Sequence, residues 1–156
     1  MLRFLVFSDT HGVREPMREL YALYPNDGII HLGDHLEDAR WMLARTNGHP
    51  VYGVRGNCDF GIQGPDDQLL ELGGVKFLLM HGHRFGVKSG YGGALAEAKR
   101  RGAEVLLFGH THFPFMEERD GILMLNPGSL RNPRREYAVI EIENNKAKGA
   151  LLHQYD

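Results

Sequence analysis

Residues 104–113 read EVLLFGHTHF. Val105 to Phe108 form an apolar run of strand length, Gly109 ends it, and His110 and His112 follow with only Thr111 between them. Two imidazoles at the exit of a buried strand are either an incidental polar pair or ligands for something that imidazoles hold, and the other strand ends decide between the two. The same punctuation recurs along the chain. FLVF (4–7) is followed by Ser8, Asp9, Thr10 and His11, and IIHL (29–32) by Gly33 and Asp34. VYGVR (51–55) is followed by Gly56, Asn57, Cys58 and Asp59, and FLLM (77–80) by His81, Gly82 and His83. Five strand-like runs thus each deliver a candidate metal ligand at the carboxyl end, the edge where open α/β sheets form binding crevices. An extended backbone sends alternate side chains the same way, so Asp9 with His11, and His110 with His112, are expected to aim as pairs.

The segments between these runs set the fold class. LRFLVF (2–7), GIIHLG (28–33) and HPVYGVR (49–55) read as strands alternating with amphipathic stretches. One helix is expected over 13–24, with Pro16 near its start and Met17, Leu20, Tyr21 and Tyr24 on one face. A second is expected over 36–45, with Trp41 and Leu43 or Ala44 inward. This alternation predicts βαβ units and a partly parallel sheet. In the second half, Gly73-Gly74, Asp120-Gly121 and Asn144-Asn145 read as hairpin turns, and Ser89 as the cap of a helix ending near Arg101. That is too many strands for one small sheet flanked by helices, so two packed sheets with helices outside are expected.

Composition narrows the function classes. A chain of 156 residues, 42% hydrophobic and 24% charged, is expected to form one domain over residues 1–156. A formal net charge of −2 argues against a generally basic nucleic-acid surface and a polybasic membrane anchor. Nucleic acid is therefore expected only as a small substrate. The single cysteine, Cys58, excludes an intrachain disulfide and a multi-thiolate zinc site, and fits a reducing, cytoplasmic setting. LRFLVF is too short for a signal-peptide core or a membrane span, so no membrane partner is expected.

DTH (9–11), GD (33–34), GNCD (56–59), HGH (81–83), GHTH (109–112) and LNPGSLRNPR (125–134) stand in this order over nearly the whole chain. The set resembles the calcineurin-like metallophosphoesterases, in the minimal single-domain branch of bacterial and archaeal phosphodiesterases. Any one motif recurs by chance; six in order carry the resemblance. It implies an α/β fold, a four-layer α/β/β/α sandwich with two mixed β-sheets and a metal site at the strand C-terminal ends. It also implies one divalent ion held by Asp9, His11, Asp34 and His112 and a second by Asp34, Asn57, His81 and His110, with Asp34 bridging. These mixed donors suit manganese first, and nickel, iron, cobalt or zinc as well. The implied chemistry is hydrolysis of a small phosphodiester by in-line attack of a metal-bridging hydroxide, the two ions about 3.5 to 4 Å apart.

Asn57, Asp59 and His83 are the catalytic candidates: Asn57 as a ligand, Asp59 as an orienting acceptor, and His83 facing substrate or the ligands, with a plain surface role as its alternative. Larger family members carry histidine where this chain has Cys58, so the proton donor to the leaving group is left open and activated diesters are expected to be favoured. Cys58 is not expected to be a covalent nucleophile, because DFGIQG after it supplies no arginine to cradle phosphate. His31 and His49 read as structural, and His35 as a helix-start residue or a neighbour of the site. Arg55 and Arg84 read as solvated or ion-paired. Arg131, Arg134 and Arg135 make a cluster that is either solvated surface or a contact for a longer anionic substrate. A protein-binding scaffold on the same fold, a phosphomonoesterase and a nuclease are the alternative functions, and a homodimer is compatible with the resemblance.

Overall fold

In the computed structural model, which describes residues 1–155, strand β1 (Leu2–Phe7) shows how the layers arise. Phe4 and Val6 enter one apolar cluster, Leu5 and Phe7 enter another, and all four are buried. A strand apolar on both faces needs cover on both. β2 (Gly28–His31) and β3 (Val51–Gly53) extend β1 in parallel, while β9 (Glu136–Glu143) and β10 (Lys146–His153) continue the sheet antiparallel on its other side. The order is β10-β9-β1-β2-β3.

The second sheet is built from β4 (Asp67–Leu72), β5 (Val75–Met80), β6 (Val105–Leu107), β7 (Phe115–Arg119) and β8 (Ile122–Asn126), in the order β4-β5-β6-β8-β7. β5, β6 and β8 run parallel, and β4 and β7 close the edges antiparallel. Phe4, Val6, Ile30, Phe77, Leu79, Leu107 and Ile140 fill the space between the sheets. On the outer face of the first sheet, Met17 and Leu20 of α1 (Glu15–Leu23) and Met42 of α2 (Leu36–Leu43) pack against Leu5, Phe7 and Ile29. On the outer face of the second, Ala94, Leu95 and Ala98 of α3 (Gly92–Arg100) pack against Leu78, Met80, Leu106 and Phe108. The result is the α/β/β/α sandwich with two mixed sheets that the motifs imply. Among the described residues no helix is long and apolar enough to cross a membrane.

Three local expectations are corrected. The inward stripe of α2 is Leu36, Ala39 and Met42; the helix ends at Leu43, which is exposed with Ala44, and Trp41 is only half-buried. The first helix begins at Glu15 rather than 13 and ends one residue short of Tyr24, although Met17 and Leu20 are its buried face as expected. Ser89 does not cap α3: its amide closes a turn on the Gly86 carbonyl (2.9 Å), and the helix starts at Gly92 after Tyr91 without a side-chain cap. The three hairpin turns fall where the sequence places them.

Two bonds knit the carboxyl ends of the strands into one edge. The amide of Asp9, after β1, donates to Gly33 O after β2 (2.9 Å), and that of Gly109, after β6, donates to His81 O after β5 (3.0 Å). His81 Nδ1 then crosses from the second sheet to donate to Leu32 O of the first (2.8 Å).

Candidate metal centre

Beyond these strand ends the backbone does not stay extended. Asp9 (φ 53°), His11 (45°), Asp34 (59°), His110 (71°) and His112 (65°) all adopt the left-handed region. This corrects the expectation that strand alternation aims the pairs; they converge because the chain turns sharply at each of these five residues. Non-glycine residues pay about 1–2 kcal/mol apiece for that conformation, so the surroundings must hold it.

The turns bring two overlapping groups together. Candidate ligand atoms of Asp9, His11, Asp34 and His112 lie within 4.8 Å of one another, as do those of Asp34, His81 and His110. Asp34 belongs to both. Asp9 is fully buried; its Oδ2 accepts the Ser8 hydroxyl (2.5 Å) and the His110 amide (3.1 Å), which leaves Oδ1 facing His112 Nε2 at 3.1 Å and His81 Nε2 at 3.8 Å. Asp34 Oδ1 accepts the Cys58 amide (3.0 Å) and lies 3.4 Å from His81 Nε2, while Oδ2 is 3.6 Å from His11 Nε2. Because Leu32 O can only accept, the neutral His81 ring carries its proton on Nδ1 and turns a bare Nε2 inward, 3.1 Å from His110 Nδ1.

Charge in the cluster follows from this crowding. Burial alone would raise the carboxyls of Asp9 and Asp34, but His112 and His81 beside Asp9, and His81 beside Asp34, hold both below the usual range. Burial alone would lower His81, but Asp34 and Asp9 outweigh it and raise it. The Asp9 carboxylate beside it raises His112, while burial and His81 push His110 down to about 4. The centre therefore attracts positive charge to the Asp9–Asp34 side.

A second ring of residues holds the turns. Asp59, 6% exposed, spends both oxygens on backbone amides: Oδ1 accepts from His35 (2.8 Å) and Leu36 (2.9 Å), Oδ2 from Asp34 (3.0 Å) and Gly56 (2.7 Å). It is a positioning residue that fastens the turn carrying Asp34 to the turn carrying Asn57. Ser129 Oγ donates to Asp9 O (2.8 Å), Asn126 Nδ2 to Gly109 O (3.0 Å), and Asn132 Nδ2 to His112 O (2.9 Å). Behind Asp9 runs a buried chain: the Gly33 amide donates to His31 Nδ1 (3.1 Å), His31 Nε2 to Thr10 Oγ1 (2.9 Å), and Thr10 Oγ1 to Asp38 Oδ2 (2.6 Å). Burial pushes His31 down to about 4, so the ring is neutral.

Sequence reasoning missed Thr10, Asp38, Asn126, Ser129 and Asn132 as supports. The NPGS turn was visible as a motif without a role, and Asp38 was signalled only as an acid between Leu36 and Ala39 on the inward face of α2. His49 is structural, its Nδ1 2.8 Å from Tyr21 Oη.

The remaining candidates lie at the rim. Asn57 is exposed, with Nδ2 3.6 Å from Cys58 Sγ. Cys58 is an exposed thiol whose pKa is raised by desolvation and by Asp34. His83 places its ring 5.5 Å from that of His81 and 6.1 Å from that of His110; its Nδ1 is buried without a partner, and burial and His81 lower its pKa. His35 starts α2 and sets Nδ1 2.9 Å from Asp38 Oδ2. Arg55 and Arg84 pair with Asp66, at 2.7 and 3.6 Å.

Two atoms test whether the centre suits a cation. Asp9 Oδ1 and His11 Nε2 are buried, face the cluster, and have no hydrogen-bond partner. Orphaned lone pairs of a carboxylate and an imidazole are costly unless something positive meets them. The donor set fits a divalent first-row metal.

Comparison with known proteins agrees with this chemistry. Residues 2–145 match the calcineurin-like phosphoesterase superfamily domain. The "Probable metallophosphoesterase" of Mycoplasma pneumoniae is 39% identical over 161 residues, covering 98% of both chains. Escherichia coli "Phosphodiesterase YfcE" is 32% identical, covering 86% of this chain and 82% of its own. The crystal structure of Vps29 complexed with Zn2+ from Entamoeba histolytica shares the fold at a TM-score of 0.78 and 20% identity, covering 98% of this chain and 99% of its own. With nearly its whole length matched and the motif residues drawn into one cluster, the chain belongs to the calcineurin-like metallophosphoesterases.

Proposed function

We propose that the protein is a dinuclear, divalent-metal-dependent phosphodiesterase. The observation that carries this reading is the pair of overlapping ligand groups sharing Asp34, with Asp9 Oδ1 and His11 Nε2 buried and unpartnered. Asp9, His11, Asp34 and His112 would hold one ion, and Asp34, Asn57, His81 and His110 the other, with manganese the first choice. When bound, such a pair supplies Lewis acidity toward the phosphoryl oxygens and a water of lowered pKa. Two carboxylates against two dications leave the centre positive, which draws a phosphodiester into a chain of net negative charge.

The protein's own groups set the geometry. Ser8 and the His110 amide fix which Asp9 oxygen faces inward, Leu32 O fixes the His81 tautomer, and Asp59 holds Asp34 and Asn57 in register. His83, beside His81 and His110, would hydrogen-bond a substrate or leaving-group oxygen in this reading. Burial and His81 lower its pKa, so at neutral pH the ring is mostly without the proton it would donate and good leaving groups are favoured. The thiol of Cys58 takes no covalent role.

The test is metal analysis of protein purified without chelator, followed by assay of bis(p-nitrophenyl) phosphate and p-nitrophenyl phosphate with added Mn2+. The expected outcome is divalent-metal uptake and faster hydrolysis of the diester, retained in Cys58→Ala. The likeness to Vps29 supports a second reading, a protein-binding scaffold. A folded protein that takes up no transition metal and turns over neither ester would end the catalytic reading and leave the scaffold as the alternative.

A further inference from the structure

Beside the centre lies an open groove of about 620 Å³ that the proposed hydrolysis does not use. It begins at Gly12, the residue after His11, and is walled by Arg14, Glu15, Trp41, Arg45 and Arg135. Among the described residues, Arg14, Arg45 and Arg135 have no carboxylate within ion-pair distance, whereas Arg3, Arg55, Arg84 and Arg101 each have one. Glu15, the groove's acid, is engaged by Arg18 at 2.9 Å.

The three guanidinium groups are held by uncharged partners. Arg45 and Arg14 lie 3.9 and 4.8 Å from the centroid of the Trp41 ring, and Arg45 Nη1 donates to Trp41 O (2.7 Å). Arg135 Nη1 donates to Leu130 O (3.1 Å) and Arg131 O (3.3 Å), with the residue held left-handed at φ 56°. A carboxylate partner would cancel the charge; an aromatic face or a carbonyl orients the cation and leaves it positive. The far wall is tied to the centre as well, because Asn132 of the same turn holds the His112 carbonyl.

We propose that this groove is a second anion subsite, and that the substrate is a phosphodiester carrying a further phosphate group. This rests on the phosphodiesterase reading: the scissile diester sits at the metal centre, and the additional phosphate lies along the Gly12 side against Arg14, Arg45 and Arg135. Trp41, with a guanidinium over its ring, positions the arginines rather than stacking a base.

Two probes differing by one group test it: the p-nitrophenyl ester of thymidine 5′-phosphate, with and without a 3′-phosphate. At low ionic strength the metal-loaded protein is expected to show kcat/KM about tenfold or more higher for the 3′-phosphorylated probe, the worth of charge-assisted hydrogen bonds to one phosphate. Arg45→Gln and Arg135→Gln should each draw that ratio toward one without loss of bound metal. A wild-type ratio near one, or a preference that survives both substitutions, overturns the proposal. Trp41, the chain's single tryptophan, supplies a readout independent of turnover. Inorganic pyrophosphate titrated into chelator-treated protein should change its emission saturably, and the double variant should lose that response. If neither probe is hydrolysed the phosphodiesterase reading fails. The groove is then decided by Trp41 alone: a saturable, arginine-dependent change supports it, and silent emission at millimolar pyrophosphate sinks it.

Discussion

Asp120, Asn144 and Asn145 at one end of the sandwich, and Asp9, His11, Asp34, His35, His110 and His112 at the other, share a backbone conformation that L-residues avoid. At the hairpin end the reason is local. Asn144 (φ 53°) and Asn145 (59°) join β9 to β10, and Asp120 (55°) with Gly121 (79°) joins β7 to β8, in two-residue turns whose geometry calls for positive φ. Asparagine, aspartate and glycine tolerate it, so the choice of residue relieves most of the cost. At the metal end histidine and aspartate sit in the same region with no hairpin to close. The cost is met there by distant groups: four amides on Asp59, a hydroxyl and an amide on Asp9 Oδ2, and Ser129 on Asp9 O. One end is strained by its turn type, the other where its candidate ligands converge.

The largest test of that contrast is Asp34→Ala. Asp34 is common to both ligand groups, so its loss should lower diesterase kcat/KM about a thousandfold or more and strip metal from the protein. Asn145→Ala should leave both unchanged. An Asp34→Ala protein with a full metal complement would mean that the two groups are not joined through this carboxylate.

A pair of glycines separates crowding from conformation. A Cβ on Gly109 would press on Ser8 Oγ, on Asp9 Oδ2 at 2.8 Å and on Ser8 Cβ at 3.0 Å, all fully buried, whereas one on Gly121 would meet nothing within 4 Å. Gly109→Ala is therefore expected to destabilise by about 2–3 kcal/mol and weaken metal binding. Gly121→Ala, where only the left-handed φ opposes the side chain, should cost about 1 kcal/mol and leave metal binding alone. Denaturant unfolding of the metal-free proteins, with metal titrations alongside, measures both; equal losses would undo the distinction.

The same contrast explains what was legible in the sequence. Hairpins at Gly73-Gly74, Asp120-Gly121 and Asn144-Asn145 could be placed because turn chemistry is written in adjacent residues. The two packed sheets followed from strand count. Strand ends marked Asp9, Asp34, His81 and His110 as residues expected to meet, and the fold brings them together. What stayed hidden depends on partners far along the chain. Ser129 reaches Asp9 across 120 residues, and Asp59 holds Asp34 across 25. The left-handed turns were misread as extended strand because no glycine announces them at positions 9, 11, 110 or 112. The inward stripe of α2 was misplaced because Asp38, an acid, lies in it; its place is explained by the Thr10 hydroxyl, the Gly12 amide and His35 around its Oδ2.

His31 gives the comparison a pH axis. Folded, its pKa is pushed down to about 4 by burial; unfolded, it should titrate near the ordinary 6.5. Where the folded pKa of a base is depressed, the unfolded state takes up the proton first, so stability is lost as pH falls from about 6.5 to about 4. The full loss is about 3 kcal/mol. Asp9 and Asp34, with lowered folded pKa values, act below that window; His110, also pushed down to about 4, acts within it in the same sense as His31, and His81 and His112, with raised values, act in the opposite sense. His31→Gln keeps a donor for Thr10 and does not titrate. Metal-free His31→Gln should therefore show a shallower fall in unfolding free energy over this range than the wild type. Parallel curves would show that the buried chain behind Asp9 does not hold a neutral ring.

The smallest expected effect is the sharpest on strain. His11 holds φ at 45° and its Nε2 has no hydrogen-bond partner, so without metal the residue contributes strain and an unmet lone pair. His11→Gly should raise the stability of the metal-free protein by up to about 1 kcal/mol, the left-handed penalty less the extra freedom of glycine in the unfolded chain. With metal present the sign reverses, because a ligand has gone and the stabilisation from binding shrinks with it. Asn145→Gly, at the hairpin end, should shift both forms by the same few tenths of a kcal/mol. Paired thermal melts with chelator and with Mn2+ read all four values. If His11→Gly destabilises the metal-free protein, the left-handed turn at His11 is not a cost carried for its ligand; if it moves both forms together, His11 holds no metal.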